Sequence, residues 1–576
     1  MEVRMMIRHE WIALVALAMT GLLTTTSTAQ FEADPCWYAE HQNPGAAFGI
    51  SVASAGDVNN DGYDDVIVGA HEFDLAYVYM GRPGGPATTH SWSRSGQAGS
   101  DFGRSVAGAG DVNDDGYDDV IVGAPKWDNS QTDEGRAFLY LGGPTGLSTT
   151  PIWSAESNQA AAAFGHAVAS AGDVNGDGHD DVIVGAPFWD NGQTSEGKAY
   201  VYLGTASGVQ TTPDWTEESD AAQAQFGYSV ACAGYLDDIF TFPPGPILSD
   251  VIVGAPGSTV DGMARAGAVF IHFNGNGVAR DLTLVGTQAE AQFGRSVAGG
   301  GNDSVLGIDG DVIIGAPYYN NNEADEGRAY VYRAAEGPFG FVVLNLIWQK
   351  EVNQTGANFG TSVACAGRVN EDDPADGVIV GAAGYDGPLL DEGRIYVYRG
   401  TAAGPSATAY FSPDSDVQYA NFGYSVALAN STRLIDGPDE LLVGAPYLPP
   451  GTDEPEQTGG AAYLFCRVAT AVEEDPEPAP ASDLRLLALK PSPFILNMGV
   501  QEIEYDLSAR GRVELAIYSA MGRPIVTLVE GIEGAGRHAI TWNGRDATGA
   551  TPGSGVYFVR LTNGNEVQSK KCVLIR

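Results

Sequence analysis

A sevenfold internal repeat constrains this chain more than any other feature. A Phe-Gly pair recurs at Phe48-Gly49, Phe102-Gly103, Phe164-Gly165, Phe226-Gly227, Phe293-Gly294, Phe359-Gly360 and Phe422-Gly423, spaced 54 to 67 residues apart. Downstream of each pair a β-branched or aliphatic run ends in Gly-Ala, as in Val66-Ile67-Val68-Gly69-Ala70 and Val182 to Pro187. Each copy carries four strand signals. These are Ser-Val-Ala after the Phe-Gly pair, the run into Gly-Ala-Pro, an alternating stretch such as Lys198-Ala199-Tyr200-Val201-Tyr202, and a Trp-centred segment such as Pro151-Ile152-Trp153, with turn chemistry between them. Four antiparallel strands repeated seven times, without helical periodicity, predict an all-β chain built as a seven-bladed β-propeller. Separate sandwiches are disfavoured, because about 60 residues with four short strands hold little core of their own and stack best on neighbours.

The 576 residues include 73 Asp and Glu against 30 Lys and Arg, a formal net charge of −43, with 44% hydrophobic residues. That hydrophobicity is too high for a disordered polyanion. The charge argues against nucleic acid and anionic membrane surfaces as partners and favours cations. Residues 1–29 read as a secretory signal: Arg4 and Arg8 precede an apolar stretch from Trp11 to Leu23, and Ser27-Thr28-Ala29 is a small-x-small cleavage pattern. The stretch is shorter than the roughly 20 residues a bilayer requires. The expectation is a secreted or cell-surface protein with no transmembrane segment in the mature chain.

The Phe-Gly and Gly-Ala-Pro anchors, with acidic loops between them, resemble the FG-GAP repeats of the integrin α-subunit propeller and its bacterial relatives. The resemblance covers residues 30–467 and implies a seven-bladed ring. Pro35-Cys36-Trp37-Tyr38 matches the fourth-strand pattern Pro151-Ile152-Trp153-Ser154, while the last copy ends at Tyr463-Leu464-Phe465-Cys466 without a Trp strand. The N-terminal strand is therefore expected to complete the last blade. Cys36 and Cys466 then lie on adjacent antiparallel strands, where a disulfide would lock the ring and contribute about 4 to 5 kcal/mol. Cys232 and Cys365, in Ser-Val-Ala-Cys-Ala-Gly strands, read as small buried hydrophobes.

Between the first and second strands of the first three copies stands D-x-N-x-D-G-x-x-D. The residues are Asp57, Asn59, Asp61 and Asp65; Asp111, Asn113, Asp115 and Asp119; Asp173, Asn175, Asp177 and Asp181. Oxygen side chains at positions one, three and five converge, glycine at six allows the reversal, position seven offers a carbonyl, and an acid at nine closes the shell. The carbonyls are assigned to Tyr63, Tyr117 and His179. Hard oxygen donors without Cys ligands select Ca²⁺. An acidic hairpin without metal is the alternative, but three equivalent loops with three carboxylates each favour about three calcium sites. The other copies depart from the pattern, at Tyr235 to Ser249, around Asp303 and Asp309, at Asn370, Asp372 and Asp376, and from Asn430 to Asp439. In integrin propellers such loops lie opposite the ligand-binding face, which implies a structural role for the ion.

The opposite face carries Trp127-Asp128-Asn129, Trp189-Asp190-Asn191, Tyr318-Tyr319-Asn320 and Tyr385-Asp386. Aromatic rings beside carboxylates suit a glycan or a basic protein ligand, and equally suit packing between blades. No nucleophile elbow, Walker loop or H-E-x-x-H is present, so the reading is a binding protein and not an enzyme. A polysaccharide-active enzyme and a purely structural surface component are the alternatives.

Residues 468–483 form an acidic Pro-rich linker. Residues 484–576 alternate like a small β-sandwich, with strands expected at Ile503–Leu507, Val513–Tyr518, Pro524–Leu528, His538–Trp542, Val556–Leu561 and Val567–Ile575. Pro491-Ser492-Pro493-Phe494, Gly522-Arg523, Trp542-Asn543-Gly544 and Gly553-Ser554-Gly555-Val556-Tyr557 resemble the immunoglobulin-like module of flagellar hook-capping proteins and the C-terminal sorting domains of type IX secretion. The resemblance implies secretion machinery or the cell envelope as partner. This module is net basic, with 11 Lys and Arg against 8 Asp and Glu, so the propeller carries nearly all the negative charge.

Overall fold

The computed structural model describes residues 29–469, apart from 32–34, 42, 44, 83–84, 237–247, 275–279, 301–309, 338–341, 370–372, 416, 430–439 and 448–458. It also describes 484–575 apart from 491–493, 496–500, 508–510, 520–523, 534–535, 548–550, 553–554 and 564–565. The signal-sequence reading, most of the linker, and the departures at Asp303, Asp309, Asn370, Asp372 and 430–439 lie outside the described residues. The chain divides into two compact units, Met1–Thr470 and Ala471–Arg576.

The first unit is a propeller of repeated antiparallel sheets in which successive strands pair with their sequence neighbours. In the first repeat the order is Phe48–Gly56, Asp65–Ala70, Leu75–Tyr79 and Trp92–Ser95. The Asp-Val-Ile-Val-Gly-Ala strands are buried along their whole length, as expected of strands covered on both faces. Their alternate side chains serve different cores. Val66 and Val68 pack with Leu442 and Leu464 of the last repeat, whereas Ile67 packs with Phe102, Val120 and Val122 of the second. The apolar core thus lies between sheets, and each repeat depends on its neighbours for burial worth about 1.5–3 kcal/mol per large aliphatic side chain.

The repeat signature follows from that packing. Each Phe of the Phe-Gly pairs is buried, and the glycine after it has positive φ, +87° at Gly103. A Cβ on Gly69 would stand 1.9 Å from the carbonyl oxygen of Gly103, and one on Gly444 would stand 2.0 Å from that of Gly49. Glycine is required because backbone meets backbone between adjacent sheets. The first strands touch in a cycle, from Phe48–Gly56 through Ser105–Gly110, Ala167–Gly172, Ser229–Gly234, Ser296–Gly299, Phe359–Cys365 and Ser425–Ala429 back to Phe48–Gly56. The Ser425 hydroxyl donates to Gly49 O at 2.9 Å across the closure.

The closing sheet is built from both ends of the unit. Trp37–Glu40 pairs with Ala461–Phe465 in the register Trp37 to Leu464, and Cys36 and Cys466 are disulfide-bonded with Cα atoms 5.7 Å apart. Ala29–Phe31 pairs with Arg467–Ala469, so a strand occupies the first residues assigned to the linker. The sixth repeat forms a three-stranded sheet, and its fourth position holds isolated bridges at Asp414 and Phe411. Pro413 has no N–H to give that ladder.

In the second unit, Leu484–Lys490, Gln501–Leu507 and Gly536–Trp542 form one sheet. Phe494–Ile495, Glu566–Ile575, Gly555–Asn563, Gly511–Ser519 and Pro524–Glu533 form the other. Trp542, Tyr505 and Ile503 from the first meet Leu515, Val559 and Leu561 from the second in a single core.

Candidate metal loops and the axial cavity

The three acidic loops fold alike. Asp57 accepts the N–H groups of Asp61 at 3.0 Å and Gly62 at 2.6 Å, and Asp61 accepts that of Tyr63 at 3.1 Å. Asp111 and Asp173 accept Gly116 and Gly178 N–H at 2.7 and 2.8 Å. The asparagine of each loop donates to the next acid, Asn59 to Asp61, Asn113 to Asp115 and Asn175 to Asp177. Positions one, three and five are therefore gathered on one turn by its own backbone.

The ninth-position acids lie deeper. Asp65, Asp119 and Asp181 are fully buried at the head of the second strand. Asp65 accepts Val58 N–H at 3.1 Å and Gly81 N–H at 2.7 Å, and Asp119 and Asp181 repeat the pattern with Val112 and Gly142, and Val174 and Gly204. Burial, aided by the neighbouring carboxylates and opposed by these amides, pushes Asp65 up to about 8 and Asp119 and Asp181 up to about 7. Among the described residues no three His, Cys, Asp or Glu side chains stand together as a ready-made cage. The expected donor set differs from such a cage in including an asparagine oxygen and a backbone carbonyl, and carboxylates packed at high local charge fit a hard cation.

Two repeats without the loop motif handle the same charge differently. In the fifth, Arg333 makes two 2.9 Å bonds to Asp311, which heads the second strand as Asp65 does in the first. In the sixth, Arg399 pairs with buried Asp373. The residue at this place after the Val-Tyr pair is Met80 in the first repeat, and the second and third have Leu141 and Leu203 after Leu-Tyr and Val-Tyr. A guanidinium thus stands at this place in two of the four repeats without the motif, the fourth and seventh having Phe273 and Cys466, and an apolar residue stands there in all three that carry it.

The eighth-position acids, which sequence reasoning passed over, join one repeat to the next. Asp118 accepts the N–H of Asp57 at 2.8 Å, and Asp180 accepts that of Asp111 at 3.1 Å.

On the opposite face, the aromatic residues pack within their own repeats. Trp127 meets Phe138 edge-on at 5.0 Å, and Arg136, Lys198, Arg328 and Arg394 lie over Trp127, Trp189, Tyr319 and Tyr385. Glu134, Glu196, Glu326 and Glu392 are buried beside them, and burial raises the carboxyl pKa of the first three.

The concave feature of this face is different. The residue after each Phe-Gly pair lines one cavity of about 320 Å³: Ile50, Arg104, His166, Tyr228, Arg295, Thr361 and Tyr424. A second hollow of about 760 Å³ shares Arg104, His166, Tyr424 and Tyr447 with it. These side chains come from the starts of the innermost strands, at the end away from the acidic loops. The signal was available, since the seven residues can be read off directly after seven Phe-Gly pairs. Their convergence depends on ring closure.

With this geometry established, comparison with known proteins gives the repeat a family. Residues 48–86, 102–140 and 164–202 match the FG-GAP repeat. These are the three copies with complete acidic loops. The chain is 32% identical over 220 residues to Integrin alpha-5 of Xenopus laevis, covering 36% of this chain and 20% of that protein. It is 36% identical over 178 residues to Integrin alpha-IIb of Mus musculus, covering 30% and 16% respectively. The chain therefore spans a fifth or less of the length of these relatives. Among solved structures, FlgD from P. aeruginosa aligns at 16% identity over 16% of this chain and 65% of that one, with a TM-score of 0.12, too slight a likeness to bear on the fold. Among the described residues no helix is long and apolar enough to cross a membrane.

Proposed function

We propose that this chain is an exported, calcium-stabilised seven-bladed FG-GAP propeller that binds an extracellular ligand in adhesion, on the face opposite its calcium loops. Its C-terminal immunoglobulin-like module serves secretion or surface attachment. The observation that carries the calcium reading is the exchange between loop and arginine: Arg333 and Arg399 neutralise acids in two of the four repeats without the motif, and the three motif-bearing repeats have Met80, Leu141 and Leu203 in that place. Asp57, Asn59, Asp61, the Tyr63 carbonyl and Asp65 would hold the first ion; Asp111, Asn113, Asp115, Tyr117 and Asp119 the second; Asp173, Asn175, Asp177, His179 and Asp181 the third. The ion supplies positive charge that pins loop to strand.

The ligand reading rests on the axial cavity and on the similarity to integrin α chains. The test is a panel of polysaccharides and matrix proteins offered to the full secreted chain with calcium. Saturable binding without turnover is expected. Turnover on a polysaccharide would replace this reading with an extracellular enzyme. Absence of both would leave a structural surface component.

A further inference from the structure

The axial cavity carries a charge opposite to that of the propeller around it. Of the arginines in this unit, Arg136, Arg265, Arg328, Arg333, Arg394 and Arg399 each pair with a carboxylate. Arg104 and Arg295, both facing the cavity, make no such pair among the described residues. Arg295 donates to the neutral Gln292 amide at 3.0 Å and lies over Tyr228 at 5.0 Å and Tyr318 at 5.6 Å. Arg104 is hydrogen-bonded to Tyr424. A guanidinium has five N–H donors in a planar fork, and its best complement is a planar carboxylate. Among the described residues neither guanidinium in the cavity meets an acid, and unlike Arg94, which is spent on the carbonyls of Ser93 and Thr149, both face open space with donors available.

The remaining walls indicate what else the ligand carries. Tyr228, Tyr424 and Tyr447 supply rings and hydroxyls, and Tyr447 is 44% exposed at the rim. Aromatic rings beside hydroxyl and amide groups suit a pyranose, with apolar faces and an equatorial rim of donors and acceptors. The adjoining hollow continues from Arg104 and His166 past Lys126, whose ammonium is paired with Asp101, to Asp133 and Asp190, and leaves room for further sugar units whose hydroxyls meet these acids.

We propose that the cavity binds a carboxylated sugar, a uronic-acid residue of an acidic glycan, with Arg104 and Arg295 on the carboxylate and the tyrosines against the ring. The proposal rests on the ligand-binding reading above and names its ligand class. It also departs from the expectation from net charge, which favoured cations over anionic partners.

The test is calorimetric titration of the full secreted chain, in calcium, with a glucuronic-acid tetrasaccharide and with its methyl ester, which keeps the sugar and removes the charge. Binding of the acid is expected, with at least tenfold loss on esterification and at least tenfold loss in Arg104→Gln and in Arg295→Gln. Arg104→Lys should lose less than Arg104→Gln, because it keeps charge without the fork, and provides a reading if the glutamine variant misfolds. Arg265→Gln, at an exposed pair outside the cavity, should bind as the parent does. Equal binding of acid and ester, parental binding by both cavity variants, or binding of a poly-glutamate peptide in place of the sugar would each overturn the proposal. Failure of the parent to bind the acid tetrasaccharide, with saturable binding of another ligand from the panel, would overturn this assignment while sparing the broader adhesion reading.

Discussion

Asp118 shows how much a single residue in a repeat can depend on a residue far away in sequence. In the motif it is the unassigned eighth position, yet its carboxylate accepts the Asp57 N–H from the previous repeat at 2.8 Å. Burial, together with the charges of Asp111 and Asp57, raises its pKa despite that bond. The geometry needs an acceptor and not a charge. Asp118→Asn should therefore be close to neutral, while Asp118→Ala should lose about 1–2 kcal/mol by leaving the amide unpaired. Urea midpoints of the two variants separate these roles, and equal losses would mean that the charge itself matters. The role was illegible in the sequence because the partner is 61 residues away and spacing within a motif reports only local geometry. His166 offers a second test. Burial, then the guanidiniums of Arg104 and Arg295, push its pKa down to about 3. The fold takes up its proton less readily than the unfolded chain does. Its contribution is therefore intact above the ordinary histidine value and is lost as pH falls from about 6.5 towards 3, by roughly 1.4 kcal/mol per unit. Between pH 7 and 4.5 the parent should lose about 2 to 3 kcal/mol more than His166→Gln, measured by urea unfolding. Parallel losses would show that this ring is not the sensitive group.

At the scale of elements, the acidic loop was legible because everything it needs lies within nine residues. The arginine that replaces it was not. Arg333 lies 22 residues from Asp311 in sequence, and only the strand pairing brings them together. This exchange makes a comparative prediction. EDTA should lower the melting temperature of the parent, and Asp57→Ala should lower it in calcium while shrinking the further drop caused by EDTA. Arg333→Met leaves half-buried Asp311 without its partner and should cost about 1–3 kcal/mol, a loss the same with and without EDTA because no ion serves that repeat. Scanning calorimetry of the three proteins in both buffers decides the matter, and a parent indifferent to EDTA would remove calcium from the account. The strands themselves were read well where alternation and turns are local, as in Lys198–Tyr202. The sixth repeat lost its fourth strand at Pro413, whose carbonyl still accepts Ile395 N–H at 3.1 Å although its nitrogen cannot donate.

For the whole molecule, ring closure and charge act against each other. The pairing of the N-terminal strand with the last repeat was legible from Pro35-Cys36-Trp37-Tyr38, a fourth-strand pattern displaced to the front of the chain. The axial cavity was not, because its seven residues share a wall only when the ring is shut. Closure brings together a propeller that holds nearly all of the chain's −43 formal charge, and self-repulsion favours opening. The closing sheet resists through the Trp37 to Leu464 pairing and the Cys36–Cys466 bond, which spans 430 residues of sequence. A crosslink over so long a separation restricts the unfolded chain strongly, a stabilisation of up to about 5 kcal/mol. Replacing both cysteines by serine should therefore lower the denaturant midpoint by a corresponding amount. The remaining strand contacts must then hold the repulsive ring alone, so the double variant should be more sensitive to ionic strength than the parent, weakening most below about 0.05 M salt, where screening reaches least far. Unfolding curves of both proteins at low and high salt test the two parts separately. An unchanged midpoint would show that the crosslink adds nothing to closure, and a salt response equal to the parent's would show that repulsion is not what it restrains.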